Sequence, residues 1–205
     1  LPSQGSRDLI TLNDGSVDGA NVVIAGSGND DVTSTGAADD TVIGDNGYIR
    51  WNASGVITEA SSTDNDQGSD DLISLAAGNH LVIGGQGIDT ITTEDGNDIV
   101  IGDNGTASFT DGHLITLIST DVNDTTGGDD TINLGNGFHR IIGGSGTDTI
   151  TTDTGMDHVI GDHGSLTYNV SDILQEATSL LPSQGARDLI TLYDGSAEGA
   201  NVVIA

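Results

Sequence analysis

Short glycine-rich segments, each carrying one aspartate and each followed by β-branched residues, recur along this chain. The copies are GGQGIDTIT at 84–92, GGSGTDTIT at 143–151 and, less closely, AGSGNDDVT at 25–33. A period near nine residues that joins a tight turn to a short strand is typical of arrays built from stacked parallel strands. We therefore expect an all-β repeat array.

Longer repeats enclose these short ones. The segments GDNG or GDHG begin at Gly44, Gly102 and Gly161, and segments such as DLITL begin at 8, 71, 130 and 188. These spacings predict three repeat units at 1–68, 69–128 and 129–185, with 186–205 opening the next copy. Residues 181–205 differ from residues 1–25 at four positions, which gives a super-repeat of 180 residues. We expect the sequence to be a window from a longer tandem array.

The charge of the chain limits which kinds of partner it can bind. It has 28 aspartates, four glutamates, four arginines and no lysine, for a formal net charge of −28, and it has no cysteine. Such a chain repels itself and is an unsuitable partner for nucleic acid. The preference for aspartate favours turns and hard-cation coordination, because its carboxylate is short. Without disulfides, calcium is the natural stabiliser of an extracellular array of small repeats. No apolar run approaches the length of a membrane-spanning helix.

Two kinds of strand alternate within each unit. Strands of the first kind, face A, place an apolar residue between mostly polar neighbours, at 72–74, 90–92, 131–133 and 149–151. Strands of the second kind, face B, are mostly apolar throughout, at 22–24, 81–83, 99–101 and 158–160. Burial with a period of two predicts opposite sheets of a flattened solenoid. The outer surface of face B is then apolar and needs a cover.

Three insertions of different character follow the GDNG and GDHG segments. They are predicted to form β-hairpins at about 48–64, 106–122 and 165–181, and they contain Tyr48, Trp51, Phe109 and Tyr168. The stretch 172–181 is also compatible with a short helix. The hairpins either fold over face B, or they and face B bind a neighbouring molecule and support self-assembly. Burial of Ile83, Ile101 and Ile160 within one chain would exclude the second alternative.

The nonapeptide resembles the glycine-aspartate repeats of secreted RTX, or haemolysin-type, calcium-binding proteins. That resemblance covers roughly two-thirds of the chain, outside the hairpins, and implies a calcium-stabilised parallel β-roll or β-solenoid. It also implies that each calcium ion lies between equivalent turns, held by repeat aspartates and backbone carbonyls. On the edge leading into face A, the implied ligands are Asp8, Asp30, Asp45, Asp71, Asp89, Asp103, Asp130, Asp148, Asp162 and Asp188.

The opposite edge has a weaker set of candidates. Its equivalent position alternates between the further implied ligands Asp40, Asp98 and Asp157 and the non-carboxylate residues Asn21, His80 and His139. Because calcium prefers oxygen ligands, we expect fewer or weaker sites on this edge. The five histidines, at 80, 113, 139, 158 and 163, lack the partners of a transition-metal motif and are expected to be polar surface residues.

No segment resembles a catalytic motif, so we do not expect an enzyme. We expect a structural segment of a large secreted bacterial protein that folds outside the cell on binding calcium. It would act as a rigid spacer or as a self-assembling adhesin, surface-layer or fibre element, and the resemblance implies type I secretion. Two alternatives remain open: an ice-binding surface built from Thr-x-Thr pairs at 90–92 and 149–151, or an accessory repeat region of a secreted RTX enzyme or toxin.

Overall fold

Strands and turns make up the whole of the described chain. The structure is a computed structural model that describes residues 5–13, 19–121, 126–181, 185–193 and 201–205. These ranges contain no helix. Parts of the predicted repeat units, at 1–4, 14–18, 122–125, 182–184 and 194–200, lie outside the described residues. No helix able to cross a membrane is found in the described ranges.

Twenty strands follow one another in the described part of the chain. They are β1 (Leu9–Leu12), β2 (Val22–Ile24), β3 (Asp31–Ser34), β4 (Thr41–Ile43), β5 (Gly47–Trp51), β6 (Ile57–Ser62), β7 (Leu72–Leu75), β8 (Leu81–Ile83), β9 (Thr90–Thr93), β10 (Ile99–Ile101), β11 (Gly105–Thr110), β12 (His113–Ser119), β13 (Thr131–Leu134), β14 (Arg140–Ile142), β15 (Thr149–Thr152), β16 (His158–Ile160), β17 (Gly164–Tyr168), β18 (Leu174–Ser179), β19 (Leu189–Leu192) and β20 (Val202–Ile204).

Fourteen of these strands form two parallel sheets. Sheet A has the order β1-β3-β7-β9-β13-β15-β19, and sheet B has the order β2-β4-β8-β10-β14-β16-β20. The chain visits the two sheets alternately, and equivalent residues of successive strands pair in register, as Ile73 does with Ile91. The predicted all-β, parallel character is confirmed. The face A segments lie in sheet A and the face B segments lie in sheet B.

The main core lies between sheets A and B. It is formed by the central apolar residue of each strand, such as Ile73 and Ile91 from sheet A and Val82 and Val100 from sheet B. All four are fully buried. Burial of each such side chain contributes about 1.5 to 3 kcal/mol. Each strand adds only one or two residues to this core, so the two sheets depend on stacking of many strands.

A third sheet covers the outer surface of sheet B. Sheet C is antiparallel, with the order β18-β17-β12-β11-β6-β5, and consists of the three predicted hairpins side by side. The third insertion is therefore a hairpin and not a helix. Ile83, Ile101 and Ile160 are at most 1% exposed, and they pack in one apolar cluster with Leu117 and Leu166 of sheet C. Of the two alternatives, the hairpins fold over this part of face B, and its burial excludes assembly through the same surface.

The last glycine of each GDNG or GDHG segment sets how closely a hairpin approaches sheet B. A Cβ atom on Gly105 would collide with the Ile101 side chain, and one on Gly164 would collide with Ile160. The hairpin backbone therefore lies directly on the isoleucine below it. This contact explains why glycine stands at the start of each hairpin.

Candidate functional site

Aspartates form a continuous ladder on the edge where the chain passes from sheet B to sheet A. Each one immediately precedes a strand of sheet A. The backbone N–H of each aspartate donates to Oδ1 of the next aspartate along the sheet, at distances between 2.6 and 3.0 Å. We call this set the aspartate ladder; its members are Asp8, Asp30, Asp71, Asp89, Asp130, Asp148 and Asp188.

The second carboxylate oxygen of the ladder residues lacks a partner. Oδ2 is buried and accepts no hydrogen bond in six of them: Asp30, Asp71, Asp89, Asp130, Asp148 and Asp188. Buried polar atoms are normally hydrogen-bonded, and leaving one unpaired costs about 1 to 3 kcal/mol. A row of such atoms on one edge therefore requires a positively charged or proton-donating partner.

Glycines and their neighbours bring further oxygen atoms to the same place. A Cβ atom on Gly44 would collide with both Asp71 Oδ2 and the Gly84 carbonyl oxygen. A Cβ atom on Gly84 would in turn collide with Asp89 Oδ2 and the Gly102 carbonyl oxygen. Carboxylate and carbonyl oxygens thus crowd one small space beside each turn. An ionised carboxylate and a carbonyl cannot donate a hydrogen bond to each other, whereas both are ligands that a hard cation prefers.

Burial makes ionised carboxylates unfavourable on this edge when no cation is bound. It raises the pKa of Asp71 to about 9 and the pKa of Asp148 to about 8, and neighbouring carboxylates add to both shifts. Burial likewise raises the pKa of the other shifted members, which are Asp30, Asp89, Asp130 and Asp188. Backbone N–H groups that donate to Oδ1 lower these pKa values only in part. The ladder therefore favours either protons or bound cations.

The aspartates of the GDNG and GDHG segments are not members of the ladder's row of hydrogen bonds, and they accept hydrogen bonds from other backbone N–H groups. Asp45 and Asp103 are still close enough to the ladder to raise the pKa of Asp71 and Asp130. Asp45 Oδ2 accepts the N–H of Gln86 at 2.6 Å. Asp103 accepts the N–H of Gly128 at 2.9 Å and also the N–H of Ser145. Asp162 accepts the N–H of Ala186 at 2.8 Å. These three carboxylates tie a hairpin-bearing turn to the chain that follows it.

Burial also affects the pKa of Asp45 and Asp103. It raises the pKa of Asp45 to about 7, although the N–H donors lower it, and it raises that of Asp103 well above its ordinary value. Asp45 Oδ1 remains buried without a partner. The predicted ligand set thus separates into ladder residues with an unpartnered carboxylate oxygen and turn residues whose carboxylates accept hydrogen bonds from the backbone of the following chain.

The opposite edge carries a ladder of mixed composition. Each member immediately precedes a strand of sheet B, and its N–H donates to the side chain of the next member at 2.7 to 3.3 Å. We call this set the mixed ladder; its members are Asn21, Asp40, His80, Asp98, His139, Asp157 and Asn201.

Hydroxyl groups satisfy the carboxylates of the mixed ladder. Thr93 Oγ1 donates to Asp98 Oδ2 at 2.7 Å, and Thr152 Oγ1 donates to Asp157 Oδ2 at 2.6 Å. Asp40 is the exception, because its Oδ2 is buried without a partner. Two of the three aspartates predicted as weaker ligands on this edge therefore have both oxygens hydrogen-bonded by protein groups.

Imidazole rings replace carboxylates at two positions of the mixed ladder. His80 Nδ1 accepts the N–H of Asp40 at 3.2 Å, and its Nε2 lies 2.7 Å from the Ala76 carbonyl oxygen. Because a carbonyl only accepts, Nε2 carries the proton. His139 makes the equivalent contacts. Each ring continues the ladder without adding negative charge.

The expectation that the histidines lie on the surface was wrong for four of the five. They are at most 6% exposed, and they are His80, His139, His158 and His163. Two of them are ladder members, and His158 lies beneath the third hairpin, where its Nδ1 is 2.9 Å from Tyr168 Oη. The error arose because a turn position was equated with exposure, whereas stacking of successive turns buries these side chains.

Within the described ranges, no three His, Cys, Asp or Glu side chains converge as a metal-binding group. The aspartate ladder instead offers one carboxylate per level, so a cation there must take its remaining ligands from backbone oxygens or water. Calcium accepts such a set, because it binds six to eight oxygens of several kinds.

Comparison with known proteins does not identify the chain. No protein-family profile, no curated protein and no solved structure matches it. The aspartate ladder, and not similarity to a relative, therefore carries the functional argument.

Sequence reasoning missed two groups that support the edges. Thr93 and Thr152 each stand five residues before the aspartate they bond, a spacing that the sequence shows twice. A glycine also stands three residues before each ladder aspartate that follows a hairpin, as in Gly68 before Asp71. A Cβ atom on Gly68 would collide with the Asp45 carboxylate. Both spacings are visible in the sequence and could have been used to predict these contacts.

Proposed function

We propose that the two parallel sheets form a calcium-stabilised β-roll whose aspartate ladder binds calcium ions outside the cell. The observation that carries this proposal is the asymmetry between the edges. On one edge, threonine hydroxyls and imidazole rings largely satisfy the ladder. On the other, six buried carboxylate oxygens have no partner and lie beside backbone carbonyls. A hard divalent cation is the partner that suits both kinds of oxygen.

Stacking of like charges supports the same proposal. Successive ladder aspartates are hydrogen-bonded neighbours, so their ionised carboxylates repel one another in a partly dehydrated edge. Bound calcium would neutralise these groups and reduce the net charge of −28. A site with a dissociation constant of roughly 0.1 to 1 mM, in a medium with a few millimolar calcium, contributes about 1 to 2 kcal/mol. Several such sites would decide whether the chain folds.

The biological role that fits is structural. The chain acts as a stiff spacer segment of a large secreted protein of the RTX kind, unfolded where calcium is scarce and folded outside the cell. Near-identical duplication of a 180-residue super-repeat suits added length better than new chemistry. Because sheet C covers sheet B, assembly into an adhesin, surface layer or fibre would use hairpins or strand edges and not the covered part of face B.

The outer surface of sheet A gives little support to the ice-binding alternative. Its threonine column pairs Thr92 with Ser74 and Asn133, and the neighbouring column pairs Leu72 with Asp31 and Thr90. These columns mix apolar, charged and hydroxyl side chains, so they do not offer a uniform lattice. A thermal-hysteresis measurement tests this alternative separately.

Calcium titration of chelator-treated protein tests the proposal. Far-ultraviolet circular dichroism should show β-structure forming cooperatively at about millimolar calcium. Magnesium at equal concentration should be much less effective, because it is smaller and retains its water ligands. Sedimentation of the same samples distinguishes a monomeric spacer from an assembling segment. Full β-structure in chelator, with a melting temperature that calcium does not change, would contradict the proposal.

A further inference from the structure

A cleft of about 520 Å³ lies between the first two hairpins and sheet B. Leu81 and Ile99 of sheet B line one side, and Val56 and Phe109 of the hairpins line the other. Asp39, which is exposed, stands at its rim. The cleft therefore has apolar walls on both sides and polar lining residues beside them, which include Asn79 and Asn97. Asp39 Oδ1 accepts hydrogen bonds from the N–H and Nδ2 of Asn79, at 2.7 and 3.2 Å.

The repeat places a corresponding region between the second and third hairpins. In sheet B, register pairs Leu81 with Ile99, Ile99 with Arg140, and Arg140 with His158. In sheet C, β11 and β17 each have a register shift immediately before an aromatic residue. The positions therefore correspond as Leu81 with Arg140, Ile99 with His158, Phe109 with Tyr168, and Asn79 with Phe138.

In this second region, side chains of the protein occupy the corresponding space. The Arg140 guanidinium carbon lies 4.2 Å from the centroid of the Phe138 ring and 5.4 Å from that of Tyr168. The Phe138 ring meets the His158 ring edge-on at 4.9 Å. Arg140 is only 8% exposed, and it forms no ion pair with a carboxylate in the described part of the chain. The fold thus holds a guanidinium group on aromatic rings beneath the hairpins.

The open cleft lacks both of the groups that fill its counterpart. Leu81 and Asn79 stand where Arg140 and Phe138 would be, and no cation lies over Phe109 among the described residues. An aromatic face attracts a cation by about 0.5 to 2 kcal/mol, more strongly when water is excluded. Asp39 adds a charge of the right sign at the rim, within a chain of net charge −28.

We propose that the cleft between the first two hairpins binds a guanidinium group carried on a flexible aliphatic chain, as in an arginine side chain. The bound group would lie against Phe109, as Arg140 lies against the rings of Phe138 and Tyr168. Asp39 at the rim would add a carboxylate, which Arg140 lacks among the described residues of the filled region. This site is separate from the aspartate ladder and does not depend on which cation supports the fold.

Titration with a matched pair of small probes tests the proposal. N-acetyl-L-arginine amide and its neutral analogue N-acetyl-L-citrulline amide are added to protein whose circular dichroism shows full β-structure, at about 0.15 M salt to screen non-specific attraction. The arginine compound should shift the nuclear magnetic resonance signals of Leu81, Ile99 and Phe109 saturably. The citrulline compound should bind about tenfold more weakly.

Two double variants exchange the side chains that distinguish the open cleft from the filled region. N79F/L81R introduces the side chains of the filled region and should abolish probe binding, whereas F138N/R140L should open a second site and raise the stoichiometry from one to two. Equal binding of both probes, or undiminished binding to folded N79F/L81R, would overturn the proposal. An arginine-containing pentapeptide that binds more tightly than the free probe assigns the natural guanidinium to a peptide; equal affinity assigns it to a small molecule.

Discussion

At the scale of single residues, the second carboxylate oxygen distinguishes the two edges of the parallel sheets. Asp98 Oδ2 accepts the Thr93 hydroxyl on the mixed ladder, whereas Asp89 Oδ2 on the aspartate ladder has no donor. The glycine turns beside Asp89 offer a carbonyl oxygen, which cannot donate. A carboxylate can therefore be structurally complete on one edge and still require a cation or a proton on the other.

Substitution Asp89→Asn should have effects of opposite sign with and without calcium. The asparagine Oδ1 still accepts the N–H of Asp71, so the ladder is kept, but the anionic oxygen is lost. In chelator, the variant should be as stable as the parent or more stable, because the buried charge is gone. In millimolar calcium, it should lose about 1 to 2 kcal/mol of the calcium-dependent stabilisation. Chemical denaturation under both conditions measures this difference.

Asp98→Asn is the matched control on the opposite edge. Its Nδ2 cannot accept the Thr93 hydroxyl but can donate to Thr93 Oγ1, so the bond reverses and stability should fall by no more than about 1 kcal/mol. The loss should be the same with calcium and with chelator. A calcium-dependent loss of stability in Asp98→Asn, or the absence of such a loss in Asp89→Asn, would mean that the aspartate ladder is not the edge that binds the cation.

At the scale of elements, the hairpins convert an apolar sheet surface into a second core. Face B strands are apolar on both sides, and a parallel sheet with one bare apolar side would be prone to association. Leu117 and Ala107 of the second hairpin pack with Ile83 and Ile101 and leave them fully buried. Each hairpin begins at a glycine that lies directly on a sheet B isoleucine. The insertions are thus part of the fold and not appendages.

Substitution Leu117→Ala should destabilise the protein by about 2 to 5 kcal/mol, because it removes a fully buried side chain and leaves a cavity. It should also increase binding of a hydrophobic dye by loosening the cover over sheet B. Its neighbour Thr116 is partly exposed on the same strand, and Thr116→Ala should change stability by less than about 0.5 kcal/mol. Equal effects of the two variants would show that the hairpin sheet does not seal sheet B.

At the scale of the whole molecule, buried carboxylates make stability depend on pH and on cations together. The pKa of Asp71 is raised to about 9 and that of Asp148 to about 8, well above the usual unfolded value of about 4. Between those values the folded chain binds more protons than the unfolded chain. By linkage, stability without metal then falls as pH rises through this range.

Thermal unfolding in chelator should therefore show a higher melting temperature near pH 5 than near pH 8. Calcium should remove or reverse this trend, because it binds the ionised carboxylates and competes with protons. Magnesium should leave most of the trend in place. A melting temperature that rises with pH in chelator would mean that the ladder carboxylates are already ionised and stabilised in the metal-free fold.

The local pattern of the chain followed from its sequence. Strand positions, the two faces and the hairpins were predictable, because period-two burial and turn chemistry act over a few residues and the repeats recur at similar spacing. The sequence also showed the ladder positions, because equivalent residues stand immediately before each strand of sheets A and B. Repetition placed every aspartate of the ladder in register without reference to the rest of the molecule.

Contacts between distant segments decided the remainder. Asp89 Oδ1 accepts the N–H of Asp71, whereas Asp89 Oδ2 accepts no hydrogen bond. Asp103 accepts the N–H of Ser145, which is 42 residues away in the sequence. Burial of His80 and His139 likewise depends on turns stacked above and below them. The cover over face B required the hairpins to bend back, which no local pattern specifies. Local patterns set where polar atoms occur, while only packing in three dimensions sets which of them lose water and still lack a partner.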